Sequence, residues 1–230
     1  MSEFWVKGLN RILESISKED INDFVFVGGS ALSYYLNHRL SEDIDLFTSN
    51  ENLDTEKINK ILNNMHKRGY YIEDVGAVFS SMHRKSLILG IKVEFVAYDR
   101  SFLNKEEKIL MNNLKIAELN TLIGMKAYTL PQRKIPVIRD FYDIYVITKK
   151  YGIEKVIKEA DYLYGNSFNK RIFFDCLIRA KDLLKENTIE NHLAPIYNIN
   201  KEEMSNFFKE EIKKYIIKTK ESYTEAYILR

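Results

Sequence analysis

Apolar residues recur along the chain at two different spacings, and the change in spacing divides the chain into two halves. In the first half, helical spacings of three and four residues alternate with short apolar runs and with the every-second-residue spacing of a strand. A strand predicted at 24–27 ends at a glycine pair, which predicts a tight turn into the next helix. The other elements predicted in this half are helices at 4–17, 31–39 and 55–65 and a strand at 43–47.

After residue 114 the spacing of apolar residues becomes almost purely helical. Before that point, the segment 70–98 contains β-rich runs at 77–79, 87–89 and 92–98, which predict a meander of strands. After it, helices are predicted at 116–129, 138–149, 153–164, 169–185 and 201–220. A mixed half followed by a helical half predicts an α+β protein with two domains, 1–115 and 116–230.

Composition excludes several classes of protein. Of the 230 residues, 45% are hydrophobic and 30% are charged, so the chain can bury a core and is not intrinsically disordered. The single cysteine, Cys176, excludes an internal disulfide and a multi-cysteine zinc site, and it fits a reducing compartment. No apolar run follows the N-terminus and none reaches about 18 residues, so we expect a cytoplasmic protein without a membrane span.

Charge is balanced overall but uneven along the chain. The formal net charge is +2, which is too small for the whole chain to bind nucleic acid as a polycation. Between residues 121 and 150, six basic residues face two acidic ones, which indicates either an anion-binding surface or a solvated helix face. Aromatic residues of the same stretch, Phe141, Tyr142 and Tyr145, could stack on bases, but core packing explains them better. The basic triplet 83–85, between two predicted strands, is either a hairpin tip or a phosphate contact.

The first half contains residues that suit a phosphate and a metal ion. The glycine pair before Ser30 lets backbone N–H groups approach an anion at a helix N-terminus. Asp43 and Asp45 share one strand face because side chains alternate along a strand, with Cα atoms roughly 6 to 7 Å apart. Such paired carboxylates can hold magnesium, which typically takes one or two carboxylates plus substrate phosphates. The alternative is an exposed strand edge whose charges discourage pairing with another strand.

A third acid lies in a later apolar strand. Glu94 interrupts the run 92–96, where an unpaired buried carboxylate would be costly. A cation shared with the aspartates would remove that cost, and so would a neighbouring lysine or arginine. The co-occurrence of a glycine turn, paired aspartates and a third acid indicates a phosphoryl-transfer site.

Two blocks of sequence resemble a known family. Gly-Gly-Ser-Ala-Leu at 28–32 and Arg-Leu-Ser-Glu-Asp-Ile-Asp-Leu-Phe at 39–47 resemble the AbiEii/AbiGii toxins, within the polymerase-β-like nucleotidyltransferase superfamily. Lys126 in Gly-Met-Lys-Ala-Tyr and the Arg-Asp-Phe-Tyr-Asp segment at 139–143 match the second block of that family. The resemblance implies a polymerase-β-like domain with a mixed sheet and flanking helices, followed by a C-terminal helical domain that contributes to the active-site cleft.

The resemblance also implies roles for individual residues. Gly29 and Ser30 would hold the triphosphate of an NTP substrate, and Lys126 would contact a phosphate. Asp143 would support catalysis beside Lys126, although a solvated lysine and a surface ion pair between Arg139 and Asp143 are the alternatives for this block. The residues implied to ligate Mg²⁺ or Mn²⁺ are Asp43, Asp45 and, as a third ligand, Glu94.

The implied function is a metal-dependent nucleotidyltransferase toxin of a toxin-antitoxin or abortive-infection system. It would transfer NMP from an NTP to RNA, with the 3′ end of tRNA as the expected acceptor, and a cognate antitoxin would be its protein partner. One alternative is an enzyme of the same fold that attaches NMP to a protein hydroxyl. A second alternative is a nucleotide- or RNA-binding module without turnover.

Overall fold

A computed structural model describes residues 4–74, 81–98 and 107–228 of the chain. The chain divides into two compact units, 1–122 with 192–194 and 123–191 with 195–230. The predicted strand run at 77–79 lies outside the described residues. Every helix in the described ranges is either too short or too polar to traverse a bilayer.

The first unit is built on a mixed β-sheet in which seven strands are described. Strand β1 pairs antiparallel with β2 and parallel with β7, and β2 pairs parallel with β5. Antiparallel pairs β3–β4, β4–β5 and β6–β7 complete the order β3-β4-β5-β2-β1-β7-β6. The strands are β1 (Val25–Val27), β2 (Ile44–Thr48), β3 (Ile72–Asp74), β4 (His83–Ile88), β5 (Ile91–Ala97), β6 (Glu107–Met111) and β7 (Leu114–Ala117).

Strand register brings the ends of two strands and the middle of a third into one row. Val27, the last residue of β1, lies opposite Asp45 of β2, and Asp45 lies beside Glu94 of β5. Side chains alternate along β2, so Ile44 and Leu46 are fully buried while Asp45 keeps partial exposure on the opposite face. The register therefore places two acids side by side on a sheet face that solvent reaches.

Three further helices lie in the first unit, where α2 contacts β1 and β2 and α1 contacts α3: α1 (Leu9–Ile16), α2 (Gly28–Leu36) and α3 (Thr55–Lys67). Apolar residues at helical spacing on α1, including Leu9, Leu13 and Ile16, are fully buried. The carboxylate of Asp54 caps α3 by accepting a hydrogen bond of 2.9 Å from the Lys57 backbone N–H. The spacing of apolar residues thus determines which face of α1 is buried, and the capping residue Asp54 determines where α3 begins.

The second unit is helical in the described residues. Helix α9 packs against α5, α6, α7 and α8. Phe141 and Tyr142 are fully buried in this unit and Tyr145 nearly so, which confirms that these aromatics are core residues. The helices are α4 (Leu119–Thr129), which begins in the first unit, α5 (Ile138–Tyr151), α6 (Ile153–Tyr164), α7 (Lys170–Ile178), α8 (Ala180–Leu183) and α9 (Lys201–Ile228).

Several predicted boundaries were wrong. Helix α1 begins at Leu9, because Gly8 before it has a φ of 98° and breaks any earlier helix. The glycine pair forms the first turn of α2 itself, not a separate turn before it. Residues 116 and 117 belong to β7, and the helix predicted at 169–185 is interrupted at Arg179. The basic triplet 83–85 starts β4 and is not a hairpin tip, because the β4–β5 turn lies at Leu89 and Gly90.

Candidate active site

The start of α2 is packed directly against the carboxylate of Asp45. Gly28 has a φ of 78°, and a Cβ atom at this position would overlap the Asp45 side chain. Only glycine therefore allows the helix N-terminus to approach so closely. Gly28 is a site residue that the sequence interpretation missed, since it assigned the nucleotide contact to the second glycine, Gly29. The first four N–H groups of an α-helix lack partners within the helix, so this end of α2 suits an anion.

Ser30 joins the first turn of α2 to the segment that leads into β2. Its side chain is fully buried, and its hydroxyl donates to the backbone carbonyl of Asp43 and lies 2.8 Å from the hydroxyl of Ser41. The indole N–H of Trp5 donates to the Ser30 carbonyl at 2.8 Å. The hydroxyl of Ser30 thus positions Asp43, while contact of Gly29 and Ser30 with a triphosphate stays a prediction.

Four charged side chains, Asp43, Asp45, Lys92 and Glu94, form a group that we call the carboxylate cluster. Nζ of Lys92 lies 3.2 Å from Oδ2 of Asp43 and 2.9 Å from Oε2 of Glu94. The other carboxylate oxygen of Glu94 lies 3.2 Å from Nε2 of His83. The expectation that Glu94 pairs with a nearby lysine is therefore confirmed, and its role as a third metal ligand stays a prediction. Lys92 was missed, although its position two residues before Glu94 on one strand places both on the same face.

The surroundings of the carboxylate cluster shift the pKa values of two of its carboxylates. Burial raises the pKa of Asp45 to about 7, and the negative charges of Glu94 and Asp43 add to this against the opposing charge of Lys92. For Glu94, burial alone would raise the pKa, but the hydrogen bond and the charge of Lys92 outweigh it and lower the pKa. Asp45 therefore takes up a proton more readily than an ordinary aspartate, and Glu94 loses its proton more readily than an ordinary glutamate.

The donor set fits a hard divalent cation that keeps positions open for substrate. Among the described residues, no three Asp, Glu, His or Cys side chains are arranged to enclose a metal. Magnesium, however, often takes only one or two protein carboxylates and completes its shell with phosphates and water. Three carboxylates, Asp43, Asp45 and Glu94, lie together around the single ammonium of Lys92, and a divalent cation would relieve this excess of negative charge. Asp43 and Asp45 are the residues that would hold it.

The helical unit contains a second charged group, which we call the buried ion cluster: Lys126, Arg133, Asp140 and Asp143. Nζ of Lys126 lies 2.8 Å from Oδ1 of Asp140 and 2.9 Å from Oδ2 of Asp143. Nε of Arg133 lies 2.5 Å from the other oxygen of Asp140. Although burial alone would raise it, Lys126 and Arg133 lower the pKa of Asp140.

These contacts correct the alternatives for the second sequence block. Lys126 is only 11% exposed in its side chain, so it is not a solvated lysine. Asp143 is fully buried, so it does not belong to a surface ion pair. The structure brings Lys126 and Asp143 together, while their contact with nucleotide stays a prediction. Asp140 was missed as a partner, although a spacing of three residues on a helix puts it on the same face as Asp143.

Solved structures share this fold. JHP933 from Helicobacter pylori is 16% identical, with 96% of each chain covered and a TM-score of 0.58. A candidate nucleotidyltransferase from H. pylori is also 16% identical, with 89% of this chain and 93% of that chain covered and a TM-score of 0.56. The mixed sheet with flanking helices is thus a nucleotidyltransferase fold of the polymerase-β-like kind, as the sequence predicted.

A family model matches most of the length of the chain. Residues 11–221 match the model of the family described as "Nucleotidyl transferase AbiEii toxin, Type IV TA system". The chain belongs to this family, which confirms the resemblance found in the two sequence blocks. An uncharacterized protein of Aquifex aeolicus (strain VF5) is 29% identical over 202 residues, which cover 85% of this chain and 89% of that protein.

Proposed function

We propose that this protein transfers a nucleoside monophosphate from an NTP to RNA, with the 3′ end of tRNA as acceptor. The observation that carries the proposal is the meeting of the α2 N-terminus with Asp43 and Asp45 at the ends of two central strands of the sheet, where Gly28 leaves no side chain between the helix and Asp45. An anion-binding helix end beside paired carboxylates suits a metal-bound triphosphate. Membership in a nucleotidyltransferase toxin family supports the same chemistry.

Different residues of the chain have different roles in the proposed transfer. Backbone N–H groups at the start of α2 bind the triphosphate, and Asp43 and Asp45 hold Mg²⁺ or Mn²⁺. When bound, the metal supplies charge stabilisation at the attacking and leaving oxygens of an in-line displacement. Glu94, which Lys92 keeps ionised, is the proposed third ligand of the metal, and the proton of the acceptor hydroxyl passes to solvent. A bond forms between that hydroxyl oxygen and the α-phosphorus while the bond to pyrophosphate breaks.

The helical unit supplies the remaining positive charge in this proposal. Asp140 and Asp143 fix the ammonium of Lys126, so it can meet a phosphate without losing much side-chain freedom on binding. The family also suggests a cognate antitoxin as the protein partner, because its members belong to toxin-antitoxin systems.

A labelling experiment tests the proposal. The protein is incubated with each of the four α-labelled NTPs and Mg²⁺, together with tRNA, total RNA or cell extract, and the labelled product is identified. We expect label in tRNA from one or two NTPs. Label in protein would instead support protein modification, and nucleotide binding without any transfer would support a binding module.

Matched variants locate the chemistry. Asp43→Asn and Asp45→Asn keep the shape of each side chain but remove a metal-binding charge, so we expect transfer to fall by about 1,000-fold or more, equivalent to roughly 4 kcal/mol. Glu51→Gln removes the same charge from an exposed loop of the same unit and should leave transfer unchanged. Full transfer by either aspartate variant would place the active site elsewhere.

A further inference from the structure

Lys92 occupies a specific position in the carboxylate cluster. Asp45 and Glu94 are neighbours in the parallel register of β2 and β5, and extending that register by one pair puts Asp43 beside Lys92. The four side chains therefore form a square on one sheet face, with one ammonium and three carboxylates at its corners. Nζ of Lys92 reaches both its neighbour Asp43, at 3.2 Å, and Glu94, at 2.9 Å.

The ammonium of Lys92 offsets the negative charge of the neighbouring carboxylates. Without it, three carboxylates would face one another in a partly buried site, which is electrostatically unfavourable. Nζ of Lys92 supplies this charge, because it lies within ion-pair distance of both Asp43 and Glu94. A divalent cation bound by Asp43 would meet this ammonium at close range and would be repelled by it.

We propose that Lys92 is a resident counter-ion that competes with the divalent metal for Asp43 and Glu94. In the absence of metal, Lys92 holds these carboxylates in place and stabilises the fold. When metal binds, Lys92 has to release at least one carboxylate, so the free protein binds metal weakly. The inference rests on the proposed metal site of the transferase, and it makes Lys92 a positioning residue that sets metal affinity.

The test measures Mn²⁺ binding without any nucleotide or RNA, by calorimetry or by the electron paramagnetic resonance of free Mn²⁺. Lys92→Met removes the competing charge, and we expect Mn²⁺ to bind about tenfold more tightly than in the wild type. Lys92→Arg keeps the charge and should bind Mn²⁺ within about twofold of the wild type. Lys85→Met is the matched control, because Lys85 lies opposite Glu94 on β4 and its loss removes the same charge. It should also stay within about twofold.

Thermal melting gives an independent readout. In EDTA, Lys92→Met should melt below the wild type, because the carboxylates have lost their counter-ion, and saturating Mn²⁺ should raise its melting temperature more than that of the wild type. If Lys92→Met does not fold, Lys92→Gln is used, because its amide still donates a hydrogen bond to Glu94.

The outcomes separate this inference from the proposed function. Unchanged or weaker Mn²⁺ binding by the Lys92 variant, with normal binding by the wild type, overturns the inference and leaves the metal site standing. Equal tightening by Lys85→Met also overturns it, because general charge and not contact would then govern affinity. Failure of every variant and the wild type to bind Mn²⁺ removes both the metal site and the inference.

Discussion

The carboxylate cluster of the sheet and the buried ion cluster of the helical unit use similar residues in opposite ways. In the sheet, three carboxylates surround one ammonium, and the side chains keep partial access to solvent. In the helical unit, two aspartates meet a lysine and an arginine, and both aspartates are buried. The first group thus carries excess negative charge, whereas the charges of the second balance.

The difference separates a site that needs a further cation from one that is complete. Burial, with the negative charges of Glu94 and Asp43, raises the pKa of Asp45, so the sheet cluster gains stability when it binds a proton. A balanced, buried cluster has no excess negative charge for a further cation to relieve, and its contacts hold Lys126 in a fixed orientation. The comparison therefore supports the proposed metal site in the first group, whereas in the second group the aspartates position Lys126.

The largest expected loss of stability follows from removing one charge of the buried ion cluster. Asp143→Ala leaves Lys126 partly unpaired in a buried site, and we expect it to reduce the free energy of unfolding by about 3 to 5 kcal/mol in urea denaturation. The matched control is Asp161→Ala, which removes an aspartate 2.6 Å from Lys170 at an exposed position of the same unit. It should cost less than about 1 kcal/mol.

A double variant sharpens this prediction. Lys126→Met with Asp143→Leu removes both charges, so the loss of stability should be smaller than the sum of the two single losses. Additive losses would show that Lys126 and Asp143 do not depend on each other.

The charge excess of the carboxylate cluster predicts a pH dependence of stability in the absence of metal. The pKa of Asp45 is about 7 in the folded state, against an ordinary value of 3.8, so between these pH values the folded protein holds a proton that the unfolded chain releases. Stability should therefore fall as pH rises from about 4 to about 7 and level off above that.

Comparison with Asp45→Asn isolates this effect, because other titrating groups cancel in the difference. We expect the wild type to lose about 2 kcal/mol relative to the variant across this range, which allows for a proton shared with Glu94. Urea denaturation in EDTA measures it. Parallel pH profiles would mean that Asp45 is not perturbed.

Elements whose apolar residues recur at a regular spacing could be predicted from the sequence. Elements that form only through pairing with another strand were missed. Helices α5, α6 and α9 and the strand pair β4–β5 were predicted because their apolar positions recur over many residues or alternate around a glycine. Strand β6 was missed because it is short and mixes charged and apolar residues, and only pairing with β7 makes it a strand. The end of β7, residues 116 and 117, was assigned to a helix, because its pairing with β1 and β6 is not visible in the local spacing.

Prediction of the site was limited in a similar way: the acidic residues could be predicted from the sequence, but the contacts around them could not. Motif spacing identified the acids Asp43, Asp45 and Glu94, because the chemistry of a metal site constrains which residue types occur. The contacts of Lys92 and Gly28 depend on strand register and on the approach of a helix, which motif spacing does not contain. Their nucleotide and metal roles remain predictions that the variants above test.

A smaller effect distinguishes the two glycines at the start of α2. Gly28→Ala imposes an unfavourable positive φ and forces Asp45 aside, so we expect a loss of about 1 to 2 kcal/mol in stability together with weaker Mn²⁺ binding. Gly29→Ala is the control, because Gly29 does not have a positive φ and its Cβ would meet Nη2 of Arg39, 2.9 Å away, and not Asp45. Its stability and Mn²⁺ affinity should change little. Equal effects of both substitutions would contradict the special role of Gly28.

The smallest effect concerns the exposed edge of the buried ion cluster. Arg133 is 51% exposed in its side chain, while its partner Asp140 is buried and still receives a hydrogen bond of 2.8 Å from Lys126. Removing Arg133 therefore takes away one screened ion pair without leaving Asp140 unpaired. Arg133→Met should reduce the free energy of unfolding by only about 0.5 to 1 kcal/mol, and 1 M salt should shrink the difference. A loss as large as that of Asp143→Ala would show that Lys126 alone cannot balance Asp140, and that Arg133 is an equal member of the cluster.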